Sequence, residues 1–175
     1  DGSSITANDK IIKLNSSGGQ IGDPIEGPSN NLEGIAFLNG SLWVLESQWR
    51  WLGGVSTQHR VFKVNPSSPP TSLSDWESTT FIYASADQWS NMGDITAEGS
   101  GSSGTLWLGR KDYGRLLNID QSGEAITSPW TSEYIDQING MAYYDGFLYT
   151  SKGNTVYQWT TGGVKTKTFV TSPSR

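Results

Sequence analysis

The chain has 175 residues, a formal net charge of −5 at pH 7, 34% hydrophobic and 17% charged residues, 21 Gly, 8 Trp and no Cys. That charge lacks the basic footprint of a nucleic-acid binder, and no run approaches the roughly 18 apolar residues of a membrane span. The missing Cys removes disulfide frameworks, thiolate metal sites and cysteine nucleophiles, while an aromatic content of 11% is too high for a disordered tail.

Self-similarity organises the chain. Asp1 to Gly19 aligns without a gap on Asp145 to Gly163, and two further copies lie between, so a unit averages about 48 residues. The first unit, about 1–28, carries Gly2-Ser-Ser-Ile5 and Lys10-Ile-Ile-Lys-Leu-Asn15, running into the turn Ser16-Ser17-Gly18. The second, 29–86, predicts strands a at Ile35–Leu38, b at Leu42–Glu46, c at Val61–Asn65 and d at about Thr80–Ala84. The third, 87–133, predicts a at Ile95, b at Leu106–Arg110, c at Leu116–Asp120 and d near Ala125–Trp130. The fourth, 134–175, predicts a at Met141–Tyr144, b at Phe147–Ser151, c at Val156–Thr160 and d at Val164–Val170. These are short runs of period-two alternation punctuated by Gly, Pro and Asn. No stretch of 10–12 residues carries capped helical periodicity, and Asn65 to Asp75 reads as an extended Pro/Ser-rich loop between c and d.

Four strands per unit at this period is a β-propeller blade. The fold class is therefore all-β: one propeller domain over residues 1–175 with about four blades of four-stranded antiparallel sheet. The first blade has no inner strand a, because the chain begins where that strand should already have ended. Three readings follow: a fragment of a longer propeller, a ring completed by several chains, or a closed four-blade ring. Trp43, Trp107 and Tyr149 share one column of strand b, and Trp159 shares a column of strand c with Leu14, Val64 and Ile119. Such columns predict inter-blade core.

The phrases Leu32-Glu-Gly-Ile-Ala-Phe37, Ser41-Leu-Trp-Val-Leu-Glu46 and Arg60-Val-Phe-Lys-Val-Asn65 resemble the blade signature of NHL, YVTN and SMP-30 (gluconolactonase)-like propellers. They are similar also to blades of the esterase-like phytase and SdiA-regulated families. The resemblance covers nearly the whole chain at the level of the blade, and propellers host many unrelated functions. In SMP-30-like lactonases carboxylates and an Asn at the start of innermost strands hold a divalent cation. The matching positions here are Glu33, Asp94 and Asn139, oxygen donors suited to Ca²⁺. A metal there would polarise a lactone or phosphoester.

The b–c connection of the second unit is long, Glu46 to His59, where the fourth unit uses only Lys152-Gly153-Asn154. Long connections in compact domains are usually functional. In an up-and-down blade this loop shares a face with the a-strand starts, which groups Trp49, Arg50, Trp51 and His59 with Trp89 and Arg110 as candidate ligand-binding residues. Trp and Arg are favoured interface anchors. His59, the only His, has no Ser–His–Asp context. The sequence thus predicts a non-catalytic propeller module that binds a protein, a glycan or a neighbouring copy in a homo-oligomer. Its alternatives are a lactonase- or phytase-like hydrolase with Ca²⁺, and a structural subunit of a larger propeller. A first residue that is not Met, together with the absence of Cys, suits an extracellular or periplasmic chain.

Overall fold

Period-two alternation, interrupted where Asn-Gly or Asp-Gly pairs permit a tight reversal, gives this chain hairpins rather than helices. The computed structural model describes residues 8–48, 58–78, 80–83, 92–111, 114–126, 130–131 and 137–171. The second unit folds into β3 (Leu32–Leu38), β4 (Ser41–Gln48), β5 (Gln58–Val64) and β6 (Thr80–Tyr83). The third supplies β7 (Met92–Glu98), β8 (Thr105–Arg110), β9 (Arg115–Ile119) and β10 (Trp130–Thr131). The fourth supplies β11 (Gly140–Tyr144), β12 (Phe147–Lys152), β13 (Thr155–Thr160) and β14 (Lys165–Val170). Each is a four-stranded antiparallel meander in chain order, with β3, β7 and β11 innermost. The first unit contributes the two-stranded pair β1 (Lys10–Ile11) and β2 (Ile25–Glu26). Its expected strand b lies outside the described residues. The fold is a β-propeller arrangement of antiparallel blades, as the repeat requires.

Turn chemistry sets the register. Asn39–Gly40 and Asp145–Gly146 all have positive φ, between 51° and 81°, the signature of two-residue hairpins whose twist matches the strands they join. Residues at the end of each c strand hold the next turn. Asn15 Oδ1 accepts from the Ser17 and Gly19 N–H groups at 3.0 and 2.8 Å, and Asp120 Oδ1 from those of Ser122 and Glu124 at 2.8 and 3.0 Å.

Two faces of each blade alternate along strands b and c. In β4 and β8 the Leu of the repeat faces the preceding unit and the Trp faces the following one. Trp43, Leu45 and Val61 pack with Met92, Ile95, Leu106, Leu117 and Ile119 between the second and third units. Trp107 and Leu116 pack with Ile138, Leu148 and Trp159 between the third and fourth. Val44, Phe62 and Val64 receive Ile11 and Ile25 of the first unit. Innermost β3 lacks such cover on its leading side. Ile35 and Phe37 are 46% and 62% exposed, although Ile95 in the same column is buried. They border an apolar groove of about 630 Å³ that Ile11, Ile25 and Leu42 also line.

One element departs from the sequence expectation. Leu73–Ser78 is an α-helix (α1), not extended loop. Its start is a reciprocal cap: the Ser72 N–H donates to Asp75 Oδ2 at 3.0 Å and the Asp75 N–H to Ser72 Oγ at 3.2 Å. Buried Trp76 meets Phe62 edge-on at 5.1 Å and its indole N–H donates to the Glu26 carbonyl at 3.0 Å, fastening α1 to β2. Among the described residues no helix is long and apolar enough to cross a membrane.

Candidate functional site

The innermost strands start at one face of the molecule, and irregular pairing shapes what they present there. The β3–β4 ladder shifts register between Leu32 and Gly34, and the β7–β8 ladder between Met92 and Asp94. A residue left over at a bulge re-aims its neighbours. Glu33 therefore reaches the third unit, where its Oε2 accepts from Lys111 Nζ at 2.6 Å. The Lys111 stem crosses Gly93, where a Cβ would lie 2.7 Å from Lys111 Cγ.

Asp94 occupies the middle of this row. Its Oδ2 accepts from the Met141 N–H at 2.6 Å, joining the third unit to the fourth, and its Oδ1 accepts from the Ile95 N–H at 2.8 Å. On its other side it lies against Gly34 of the second unit, occupying the space a Cβ would need. Burial pushes the Asp94 carboxyl above its ordinary value. The Ile95 and Met141 N–H groups pull it down, and the charge of Glu33 raises it further.

Asn139 sits one position before β11. Its N–H donates to the Ser151 carbonyl at 2.9 Å and its Oδ1 accepts from the Gly153 N–H at 3.4 Å, closing the short turn after β12. The structure thus brings Glu33 and Asp94 within electrostatic reach of each other and employs Asn139 as a turn cap. Among the described residues no group of three or more His, Cys, Asp or Glu is disposed to hold a metal ion.

Of the six candidate ligand-binding residues, Trp49, Arg50, Trp51 and Trp89 lie outside the described residues. His59 is on β5, paired with Ser47 of β4. Arg110 ends β8 opposite Met92 and is buried rather than displayed.

Sequence reasoning passed over two constellations. Glu46 and Arg60, directly opposite each other on β4 and β5, form a buried ion pair with Arg60 Nε donating to Glu46 Oε2 at 2.6 Å. Both columns are polar throughout the repeat (Lys10, Arg115 and Thr155 beside Arg60, Arg110 and Lys152 beside Glu46), and the distinguishing signal is that only the second unit sets opposite charges across the hairpin. On the opposite face Glu98 Oε2 accepts from the Trp107 indole at 2.6 Å and Asn118 Nδ2 at 3.3 Å, beside a cavity of about 410 Å³. Burial, then Glu98 nearby, pushes the Tyr143 hydroxyl up. Glu98 stands in a column that holds Leu38 and Tyr144 in other units, which is a weak signal, whereas the column of Asn118 is polar throughout (Lys13, Lys63, Gln158) and gives none.

No protein-family model matches the sequence, and no curated protein matches it. Solved structures do. Streptogramin B lyase is 21% identical with a TM-score of 0.52, covering 94% of this chain and 48% of that one. Apo AztD from Citrobacter koseri is 14% identical at TM-score 0.46, covering 88% and 50%, and the Neurospora crassa Pan2 WD40 domain is 12% identical at 0.46, covering 80% and 50%. The chain spans about half the length of each. The resemblance to NHL and SMP-30-like blades is therefore carried to the level of the β-propeller fold, and to no one family within it.

Proposed function

We propose that the chain is a non-catalytic β-propeller module that binds a protein or glycan through the face carrying the inner-strand starts, with Trp49 and Trp51 of the connection between β4 and β5 as anchors. The supporting observation is how the ionic groups of that face are employed. Both Asp94 oxygens take backbone N–H groups, one of them 47 residues away, and Glu33 takes the Lys111 ammonium. Charges engaged in fastening three blades make a rigid platform, and rigid platforms carry binding loops well. An acid or base for chemistry needs instead a proton-exchanging group facing its substrate.

Binding to arrays of glycans and of peptides, with wild type and Trp49→Ala/Trp51→Ala compared, tests this. The double substitution is expected to abolish the signal with an unchanged circular dichroism spectrum. Equal binding by both proteins would remove the proposal.

A divalent-cation hydrolase is the second reading, favoured by the proximity of Glu33 and Asp94, whose like charges a cation would relieve. Its residues would be Glu33, Asp94 and Asn139, with Ca²⁺ as the ion and Lys111 as a competitor for Glu33. Calorimetric titration of wild type and Lys111→Met with calcium separates the two readings. Heat at millimolar metal or below, stronger in Lys111→Met and lost in Asp94→Asn, favours the hydrolase, and no heat in either protein removes it.

A further inference from the structure

The contact between the second and third units and that between the third and fourth use the same residue columns, but only the first is filled. There Leu38 is buried among apolar side chains, with Ala97 of β7 packed against the cluster. The Trp43 indole donates to the Leu38 carbonyl at 3.3 Å, and the Lys63 ammonium lies 5.0 Å from the Trp43 ring centroid. Ladder register sets Glu98 in the column of Leu38, Asn118 in that of Lys63 and Tyr143 in that of Ala97. With these three exchanges the second contact holds a cavity of about 410 Å³ in place of apolar fill.

The donors of that cavity are already spent. The Trp107 indole and Asn118 Nδ2 both donate to Glu98 Oε2, at 2.6 and 3.3 Å, and burial and the Glu98 charge hold the proton on the Tyr143 hydroxyl nearby. These donors are neutral and leave the carboxylate its charge. The column that gives the second unit Lys63 gives no cation here. Asn118 is only 4% exposed, and its Nδ2 also donates to Thr105 Oγ1 at 3.2 Å. Two acceptors around one amide nitrogen fix which way the amide points. Its Oδ1 is buried and, among the described residues, has no hydrogen-bond partner. A buried acceptor left unpaired is costly and calls for an explanation.

We propose that this cavity binds a primary alkylammonium group: Glu98 supplies the opposite charge, Asn118 Oδ1 accepts a second N–H, and Tyr143 and Ile126 flank the stem. All four residues line the cavity, and Ile126 is 51% exposed at its edge. A divalent cation would need more oxygen ligands than one carboxylate and its neutral neighbours offer. A sugar would need donors that Glu98 has taken. The site lies on the face opposite the proposed binding platform and stands independently of that reading.

Titration of the ¹⁵N-labelled chain with n-butylammonium tests it, followed at the Trp107 indole N–H, which is assigned by its loss in Trp107→Phe. A saturable shift with a Kd on the order of millimolar is expected, the strength open to so small a ligand. Butan-1-ol, with the same stem and no charge, is expected to bind at least about tenfold more weakly, as is butylammonium to Glu98→Gln. Asn118→Lys restores the residue of the second unit and is expected to abolish binding by placing a tethered ammonium in the site. Tighter binding of butylammonium than of Nα-acetyl-lysine methylamide supports a free amine as the source, and the reverse order supports a lysine side chain. No saturable shift in wild type overturns the proposal. Equal binding of butan-1-ol, or undiminished binding by a folded Glu98→Gln or Asn118→Lys chain, overturns it as well.

Discussion

Asp94 can lie where it does because its neighbours across the blades are glycines. A Cβ on residue 34 would meet its Oδ1 and lie 2.8 Å from the Ile95 nitrogen, while one on residue 140 would still be 3.8 Å from its Oδ2. Gly34→Ala must shift the carboxylate or the β3 backbone and disturb the bond to the Met141 N–H. We expect a loss of about 1–3 kcal/mol in urea unfolding. Gly162→Ala, whose Cβ would find Thr160 Oγ1 at an ordinary 3.8 Å, should change stability by under about 0.5 kcal/mol. Equal effects would refute the steric account.

Two aspartates should also titrate with opposite consequences. Burial raises the Asp94 value above the ordinary 3.8, so the folded chain holds that proton more tightly than the unfolded one, and this group's contribution falls as pH rises from 3.8 through the raised value. Hydrogen bonds from Thr71 and Ser72 lower Asp75, whose contribution is present above 3.8 and lost as pH falls through the lowered value. Urea melts across the acid range should show the margin of wild type over Asp94→Asn shrinking with rising pH, and that over Asp75→Asn growing. Margins that move in the same direction would contradict the assignment. Aligning the inner-strand starts was enough to single out Glu33, Asp94 and Asn139 together. Their roles were not legible there, because the partners of Asp94 are backbone amides, which no side-chain pattern encodes.

At the scale of elements, the strands that repeat were readable and the element that does not repeat was missed. Strands b and c announce themselves four times over in alternating columns. Helix α1 occurs once, spans six residues and follows three prolines, so periodicity carries no trace of it. The trace that exists is local: Ser72 and Asp75 at capping-box spacing. Its role is long-range, since Trp76 reaches from the second unit to the Glu26 carbonyl of the first. Trp76→Ala removes a fully buried indole and should cost about 3–5 kcal/mol. Trp76→Phe keeps much of the packing against Phe62 but leaves that carbonyl without its indole donor, for about 1 kcal/mol. Thermal or urea melts rank the pair, and a Phe variant as unstable as the Ala variant would show that the hydrogen bond outweighs packing. The b–c ion pair invites a parallel test. Glu46→Leu alone takes the carboxylate from a buried guanidinium and should cost about 3–5 kcal/mol, whereas Glu46→Leu with Arg60→Met should recover most of that loss.

For the molecule as a whole, each blade is stabilised chiefly by its neighbours, and neighbours are unequally distributed. In such arrays stability is nearly a sum of unit and interface contributions. The third unit has both faces occupied, by Trp43 and Leu45 on one side and Trp159 and Leu148 on the other. The fourth has one, and leaves Tyr144, Phe169 and Val170 in solvent. The two described strands of the first unit rest on Phe62, Val64 and Trp76. Native-state hydrogen exchange should therefore follow position in the arc and not hydrogen-bond count, because β12 and β13 pair over six residues each as regularly as β8 does. Amides of β8 and β9 are expected to open only in global unfolding, those of β13 and β14 sooner, and those of β1 and β2 first. Uniform protection across the arc would contradict the additive picture, since it requires the blades to unfold as one cooperative unit whatever their number of neighbours.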